Sequence, residues 1–190
     1  MSKDKKEEKN SMSKIEELLL KSRTIMLYGE INQKVAREFC TKLQLLASDS
    51  DDDITVFVNS PGGHVESGDS IHDMIRFVKP RVRIVGTGWV ASAGALIYAA
   101  PPVEDRYSLP NTRYMLHQPS GGVGGQASDI SIEAEQIVKM RERLNQIFAE
   151  QTGRPLKTIA KDTDRNFWMT PEEAKEYGLV GKIIKSNEEL

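Results

Sequence analysis

Twenty consecutive residues, Ile84 to Val103 (IVGTGWVASAGALIYAAPPV), carry no charge. A run this apolar can cross a membrane, fill a core, or hold a functional group against a second backbone. Gly86, Thr87, Gly88, Ser92 and Gly94 lower its hydrophobicity and Pro101-Pro102 ends it, which favours a core element over a span. At its centre stands Ser92, among Ala91, Ala93, Gly94 and Ala95. Side chains this small suit a tightly packed helix. They equally suit a helix that brings a nucleophile close to another chain segment.

The 190 residues are enough for one domain with a full core and no disulfides. The composition, 38% hydrophobic and 28% charged, is that of a soluble globular protein, and a net charge of -2 argues against nucleic acid or an anionic membrane as the main partner. A single cysteine, Cys40, excludes an internal disulfide framework and fits a reducing compartment. The opening MSKDKKEEKN mixes charges with no apolar segment behind it, so no secretory leader is read and a cytoplasmic location is expected.

Residues 1–12 read as a flexible charged tail, and 13–190 as one domain. Ser13 can cap a short helix bearing Ile15, Leu18 and Leu19. Thr24 to Tyr28 is expected as a strand closed by Gly29. Val35, Phe39, Leu43 and Leu46 predict a helix over about 33–47. The acidic run Asp49 to Asp53 reads as a solvated loop. A strand over Ile54 to Val58, a helix from Val65 to Phe77, a strand from Arg81 to Gly86 and a helix from Trp89 to Ala100 follow. That alternation implies βαβ crossovers and a parallel sheet. Arg113 to His117 is the next strand. The glycine-rich segment Gly121 to Gly125 opens into a long helix, about Ser128 to Gln151, with Ile132, Ile137, Met140, Leu144, Ile147 and Phe148 expected along its buried side. Thr170-Pro171-Glu172-Glu173 is a helix start with a Thr cap, Pro at the first position and Glu at the third. Gly178 stops that helix, and Leu179 to Ile184 is expected as a closing strand. The fold class is α/β.

Three histidines, His64, His72 and His117, offer no zinc-binding pair, and neither a Walker loop nor GxGxxG occurs, so no metal or nucleotide cofactor is expected. The chemistry-bearing set is Ser92, His117 and the glycine turn Asn59-Ser-Pro-Gly-Gly63. Ser92 is expected at a helix start, where free N–H groups favour a developing oxyanion. His117 ends a strand just before Gln118-Pro119. The glycines at 62 and 63 let a backbone amide approach a substrate carbonyl. Serine hydrolysis needs these parts. The GxSxG elbow is missing its first glycine, replaced by Val90.

From about Ser13 to Ile184 the chain resembles the ClpP family of Clp protease proteolytic subunits. The resemblance rests on Asn-Ser-Pro-Gly-Gly at 59–63, Ala-Ser-Ala-Gly-Ala at 91–95, Tyr-Ser-Leu-Pro-Asn at 107–111 and Met-Leu-His-Gln-Pro at 115–119. It rests also on Gly-Gln-Ala-Ser-Asp at 125–129 and Asp-Thr-Asp-Arg at 162–165. It implies a ClpP/crotonase-like fold, a βαβ superhelix with a protruding strand-helix handle. It implies Ser92 as nucleophile, His117 as general base and the amides of Gly63 and Ala93 as the oxyanion hole. The third triad position falls on Asn166, where the family usually has aspartate. Val65, Pro119 and Ser120 would line the substrate pocket, made less apolar by Ala93 and Ser120 where the family has methionine and leucine.

The same resemblance implies a barrel of two heptameric rings. Gln126 and Asp129 match handle contacts, and Asp164 and Arg165 match an ion pair between rings. A hexameric AAA+ unfoldase would hydrolyse ATP and feed unfolded polypeptides to the chamber. A neutral Asn166 predicts a peptidase that is weak or conditional alone, and leaves room for a barrel mixed with a second ClpP isoform. The competing readings are a catalytically impaired structural subunit of such a barrel, and an acyl-CoA hydratase of the crotonase fold, which the His-Gln-Pro and handle motifs disfavour.

Overall fold

In a computed structural model that describes residues 14–122 and 124–190, the β-branched runs become parallel strands β1 (Thr24–Tyr28), β2 (Ile54–Ser60) and β3 (Val82–Ala91). The tail expected over 1–12 and the Ser13 cap lie outside the described residues. β2 shows why these residues form a strand. Ile54, Val56 and Val58 are fully buried while the residues between them are half-buried, the period of a pleated strand. The buried side meets helices α2 (Gln33–Asp49), α3 (Val65–Phe77) and α4 (Ala93–Tyr98) through Phe39, Leu43, Ile71, Ile75 and Leu96. The alternate residues Phe57 and Val85 join Tyr107 and Ile184 in a smaller cluster. A helix over 14–21, α1, precedes β1. Cys40 is half-buried on α2 and packs against the main core.

The central strand departs from the expectation. β3 does not end at Gly86 but runs on to Ala91, ten residues in all, and the helix expected from Trp89 begins only at Ala93 and is six residues long. β3 changes partner along its length. Ile84, Val85 and Gly86 pair with β4 (Arg106–Ser108), and Trp89, Val90 and Ala91 pair with β5 (Arg113–Leu116), both in parallel. The glycines that look like a strand end mark this irregularity. Gly88 has φ +64, and a Cβ on it would lie 2.7 Å from the Asn59 amide nitrogen. β5 in turn pairs antiparallel with β6 (Phe167–Met169), and β4 pairs with β7 (Lys182–Ile183). β4, β6 and helix α6 (Leu156–Asp162) are too short to show periodicity, and β7 is shorter than the strand expected over Leu179 to Ile184.

The long helix α5 (Ala127–Thr152) is buried only at Leu144, Asn145 and Phe148, all in its second half. Ile132, expected on the buried side, is 56% exposed, as are Ile130 and Val138 in large part. Helix α7 (Pro171–Tyr177) carries the foreseen capping box, with the Thr170 side chain accepting from Glu173 N–H, and Gly178 in the left-handed region after it. Among the described residues of the segment 121–125, no strand is formed.

Arg106, 1% exposed, ties these parts together. It donates to Pro101 O (2.7 Å), to Gln151 O (2.9 Å) and to Gln151 Oε1 (2.5 Å), joining β4 to the ends of α4 and α5. Burial lowers its pKa to about 10, so it stays charged at neutral pH.

Beside it, the buried rings of Tyr98 and Tyr114 lie 5.2 Å apart. Tyr98 donates to Tyr107 O (2.8 Å), whereas the Tyr114 hydroxyl has no partner among the described residues. Burial raises both phenols, Tyr114 to about 12. A phenol whose folded pKa is raised contributes stability that is complete below the unfolded value near 10 and is lost as pH rises through about 12. For Tyr114 the loss between those values is about 3 kcal/mol; it is the cost of burying the phenolate, and the neutral, unpartnered hydroxyl adds no stability at pH 7. Tyr114→Phe is therefore expected to be neutral or stabilising by up to about 1 kcal/mol at pH 7. It should also flatten the loss of stability between about pH 10 and 12, both read from urea denaturation followed by circular dichroism.

Candidate active site

The strand register alone brings three side chains to one point. Ala91 is paired with Met115 in the parallel β3–β5 ladder, so Ser92 and His117 leave the sheet side by side. Leu116 is paired with Phe167 in the antiparallel β5–β6 ladder, which sets Asn166 opposite His117. His117 Nε2 lies 2.8 Å from Ser92 Oγ, and its Nδ1 lies 3.0 Å from Asn166 Oδ1. An amide oxygen can only accept, so Nδ1 carries the proton and Nε2 presents its lone pair to the serine hydroxyl. Were the amide turned to offer its nitrogen, the tautomer would reverse and Nε2–H would face Ser92.

Ser92 itself is strained. Its φ of 56° and ψ of -124° put a non-glycine residue at positive φ, at a cost on the order of 1–3 kcal/mol. Its backbone is held on both sides: Ser92 N–H donates to Met115 O (2.9 Å), and Ser92 O accepts from Ala95 (2.9 Å) and Leu96 (3.1 Å). This is a sharp strand-to-helix elbow that exposes the nucleophile, made without the first glycine of GxSxG, since Val90 is a fully buried strand residue. Ser92 therefore stands at a helix start, as expected, but caps a short helix from an elbow.

The small residues around Ser92 have a partner. The turn after β2 packs directly on the elbow. A Cβ on Gly62 (φ +99) would lie 2.5 Å from Ser92 Cβ, and one on Gly94 would lie 3.1 Å from Ser60 Cβ. Gly63 (φ +145) is pressed against Ile31, whose carbonyl a Cβ would meet at 2.2 Å. Among the described residues, neither Gly63 N–H nor Ala93 N–H is used in a turn or cap hydrogen bond. His64 follows as the cap of α3, its Nδ1 accepting from Ser67 N–H (3.3 Å).

The Clp protease family matches residues 5–187. The chain belongs to the Clp protease family. ATP-dependent Clp protease proteolytic subunit 3 of Rhizobium etli is 63% identical over 172 residues, 90% of this chain and 89% of that protein. Subunit 2 of Pseudomonas aeruginosa is 56% identical over 178 residues, 94% of this chain and 89% of that protein. Among solved structures, ClpP1 from Listeria monocytogenes is 54% identical and superposes with a TM-score of 0.85 over 93% of this chain and 99% of that one. An Asn-to-Asp mutant of the same ClpP1 superposes with a TM-score of 0.86, at 54% identity over 92% of this chain and 98% of that one. As a Clp protease the chain is a serine-type peptidase and a subunit of an oligomeric complex. No helix among the described residues is long and apolar enough to cross a membrane.

Beside Ser92 and His117 a cavity of about 20 Å³ is walled by Val65, Ala93, Leu96, Pro119, Leu144 and Phe148. Ser120 is exposed and does not line it, so the cavity is apolar, contrary to the expectation from Ser120 and Ala93. Leu144 and Phe148, one turn apart on α5, were foreseen only as helix-core residues. The loop bearing Asn166 is anchored twice. Gln118 N–H donates to Thr163 O (2.6 Å) and Gln118 Nε2 to Asp164 O (2.7 Å), binding the loop to the end of β5. Thr163 Oγ1 donates to the buried Asn145 (2.8 Å), and Arg141 donates to Asp164 Oδ1 (3.1 Å), binding it to α5. Within one chain Asp164 thus pairs with Arg141, and Arg165 is exposed. Gln126, at the cap of α5, and Asp129, in its first turn, are exposed at the projecting end of that helix.

Gly62→Ala tests the elbow packing. A Cβ there meets Ser92 Cβ and demands a positive φ, so the elbow must shift. Peptidase kcat should fall by about 100-fold, the cost typical of a 1 Å misplacement, with the far-ultraviolet spectrum retained.

Proposed function

We propose that this chain is the proteolytic subunit of an ATP-dependent Clp protease in the cytoplasm, with a Ser92-His117-Asn166 triad that is weak or conditional when the chain acts alone. The observation that carries this is the continuous relay from Ser92 Oγ through His117 to Asn166 Oδ1, 2.8 and 3.0 Å long. As Ser92 Oγ attacks the peptide carbonyl, its proton passes to His117 Nε2. The carbonyl oxygen becomes an oxyanion and is received by the N–H groups of Gly63 and Ala93. The imidazolium then protonates the leaving amine. Water, deprotonated by His117, releases the acyl group from Ser92.

Asn166 orients the ring but carries no charge to stabilise the imidazolium. In the serine protease template, the Asp→Asn change lowers turnover by roughly 10⁴, about 5.5 kcal/mol at the barrier. An amide oxygen already facing Nδ1 avoids the wrong tautomer and so recovers part of that loss. The substrates are unfolded polypeptides delivered into a barrel of two heptameric rings by an AAA+ unfoldase, which supplies the ATP hydrolysis. A barrel mixed with a second, aspartate-bearing isoform fits the same reading.

Fluorophosphonate labelling of the isolated chain is expected to be slow, confined to Ser92, and abolished by Ser92→Ala. Asn166→Asp should accelerate it by about tenfold or more, since even a modest part of the template effect is that large. Fast labelling of the unmodified chain, or no gain in a correctly assembled Asn166→Asp, overturns the assigned role of Asn166. Separately, Arg165→Ala should give single rings of low activity in sedimentation velocity, by loss of the pairing between Asp164 and Arg165 across rings. A fully active double ring would remove that pairing from the account.

A further inference from the structure

Helix α4 begins at the Ser92 elbow, and a second cleft, of about 320 Å³, opens at its other end, where it meets the last turn of α3 and the first residues of β3. The cleft is lined by core residues. Ile75 and Val82 are each 4% exposed, and Ala100 is fully buried. Pro80, Pro101 and Pro102 complete the apolar lining. Proline has a fixed φ and no N–H, so this part of the lining is stiff and offers no backbone donor.

Two guanidiniums border the same cleft. Arg76 donates from Nη1 to Ala100 O (3.1 Å), and its other donors have no partner among the described residues. Arg81 is held by Asp105, whose Oδ1 accepts from Nε (2.7 Å) and from Nη2 (2.5 Å). The Asp105 side chain is 6% exposed, so its carboxylate faces Arg81 rather than water. Two cations and one anion leave the cleft with one unbalanced positive charge. Each guanidinium is already fixed to the body of the protein by a hydrogen bond, so less freedom is lost when its remaining donors take up a ligand. A stiff apolar concavity with a few oriented polar groups is the form that small-molecule sites take, and this one has the room they need.

We infer that this cleft is a second binding site, for a small organic monocarboxylate with an aromatic or branched apolar body. The carboxylate is engaged by the Arg76 and Arg81 guanidiniums, and the body lies on Ile75, Val82 and Ala100. A single negative charge matches the one unbalanced guanidinium. A phosphate or a dicarboxylate brings a further negative charge towards Asp105, and an inorganic anion leaves the apolar lining wet. The site shares no residue with the Ser92, His117 and Asn166 relay, so it stands or falls apart from the peptidase reading.

Benzoate and its neutral counterpart benzamide are titrated into the full assembled chain, labelled at isoleucine, leucine and valine methyl groups and followed by methyl NMR. Benzoate should move the Ile75 and Val82 methyls saturably, with a Kd of about 1 mM or tighter, the strength expected of about nine non-hydrogen atoms in a preformed site. The methyls of Leu144, beside Ser92, should stay in place. Benzamide should bind at least about tenfold more weakly, and benzoate should lose a similar factor in Arg76→Gln, since each change removes a charge-assisted hydrogen bond. Ser92→Ala should bind benzoate as the unmodified chain does. The absence of a saturable shift at Ile75 and Val82 overturns the site, and equal binding of benzamide overturns the carboxylate class. An unchanged Kd in Arg76→Gln overturns the role of Arg76. Should that variant fail to fold, the comparison of benzoate with benzamide on the unmodified chain decides.

Discussion

The registers of two short ladders decide whether this chain can do chemistry. Ser92, His117 and Asn166 come from three strand ends, and each is where it is because Ala91 faces Met115 and Leu116 faces Phe167. A slip of one residue moves a strand by about 3.3 Å and turns its side chains to the opposite face. Either effect breaks a 2.8 Å contact. Several unrelated features oppose such a slip. Tyr114 is buried against Gly86, where no side chain fits, and Arg113 stacks on Trp168 at 4.2 Å across the β5–β6 pair. Gln118 then fastens the strand end to Thr163 and Asp164. The sheet edge is stapled at each point where a slip would begin.

The second constraint is close backbone approach, and it explains the small residues that dominate the middle of the chain. The Ser60-to-Gly63 turn and the Ala91-to-Gly94 elbow touch at distances that exclude a side chain at position 62 and crowd one at position 94. That much was readable: a serine among alanines, two glycines after a strand, and a histidine at a strand end point to packing or chemistry at one place. What misled was Gly86-Thr-Gly88, which looks like punctuation between strand and helix. Glycine inside a strand also marks an irregular turn of the ladder, and only tertiary pairing with two different partners distinguishes the cases. Asn166 carried no local signal at all. It precedes a three-residue strand with no periodicity, so only the family resemblance pointed to it.

Helix α5 shows the opposite failure. Its apolar spacing predicts a buried side along the whole helix, although the glycines before it and the family resemblance point to a helix that reaches out to a neighbour. The protomer buries only the second half. Ile130, Ile132 and Val138 stand exposed on the first half, as expected of a helix whose apolar residues are shared with other copies in an oligomeric complex. The capping box at Thr170 was legible because its signal lies within four residues and needs no partner from elsewhere. Legibility therefore follows the range of the interaction: caps and turns are local, strand pairing is not, and subunit contacts are furthest from view.

The substitution of an amide for a carboxylate gives that third range a chemical consequence. A carboxylate presents an acceptor to His117 from either oxygen, and it attracts the imidazolium even when slightly misplaced. An amide does so from one of two orientations and without charge, so its contribution depends on how firmly its loop is held. In this chain the loop is held by Gln118 from β5 and by Asn145 and Arg141 from α5, the helix whose other half projects from the domain. On the proposed roles, Asp164 and Arg165 of the same loop also meet the opposite ring. Assembly would then act on the one triad member least able to tolerate movement, through residues within two positions of it. Exposed ion pairs are worth about 0–1 kcal/mol each, too little to hold a ring alone but enough to bias a flipping amide several-fold. On the proposed roles, conditional activity would follow from that arithmetic without any change in Ser92 or His117.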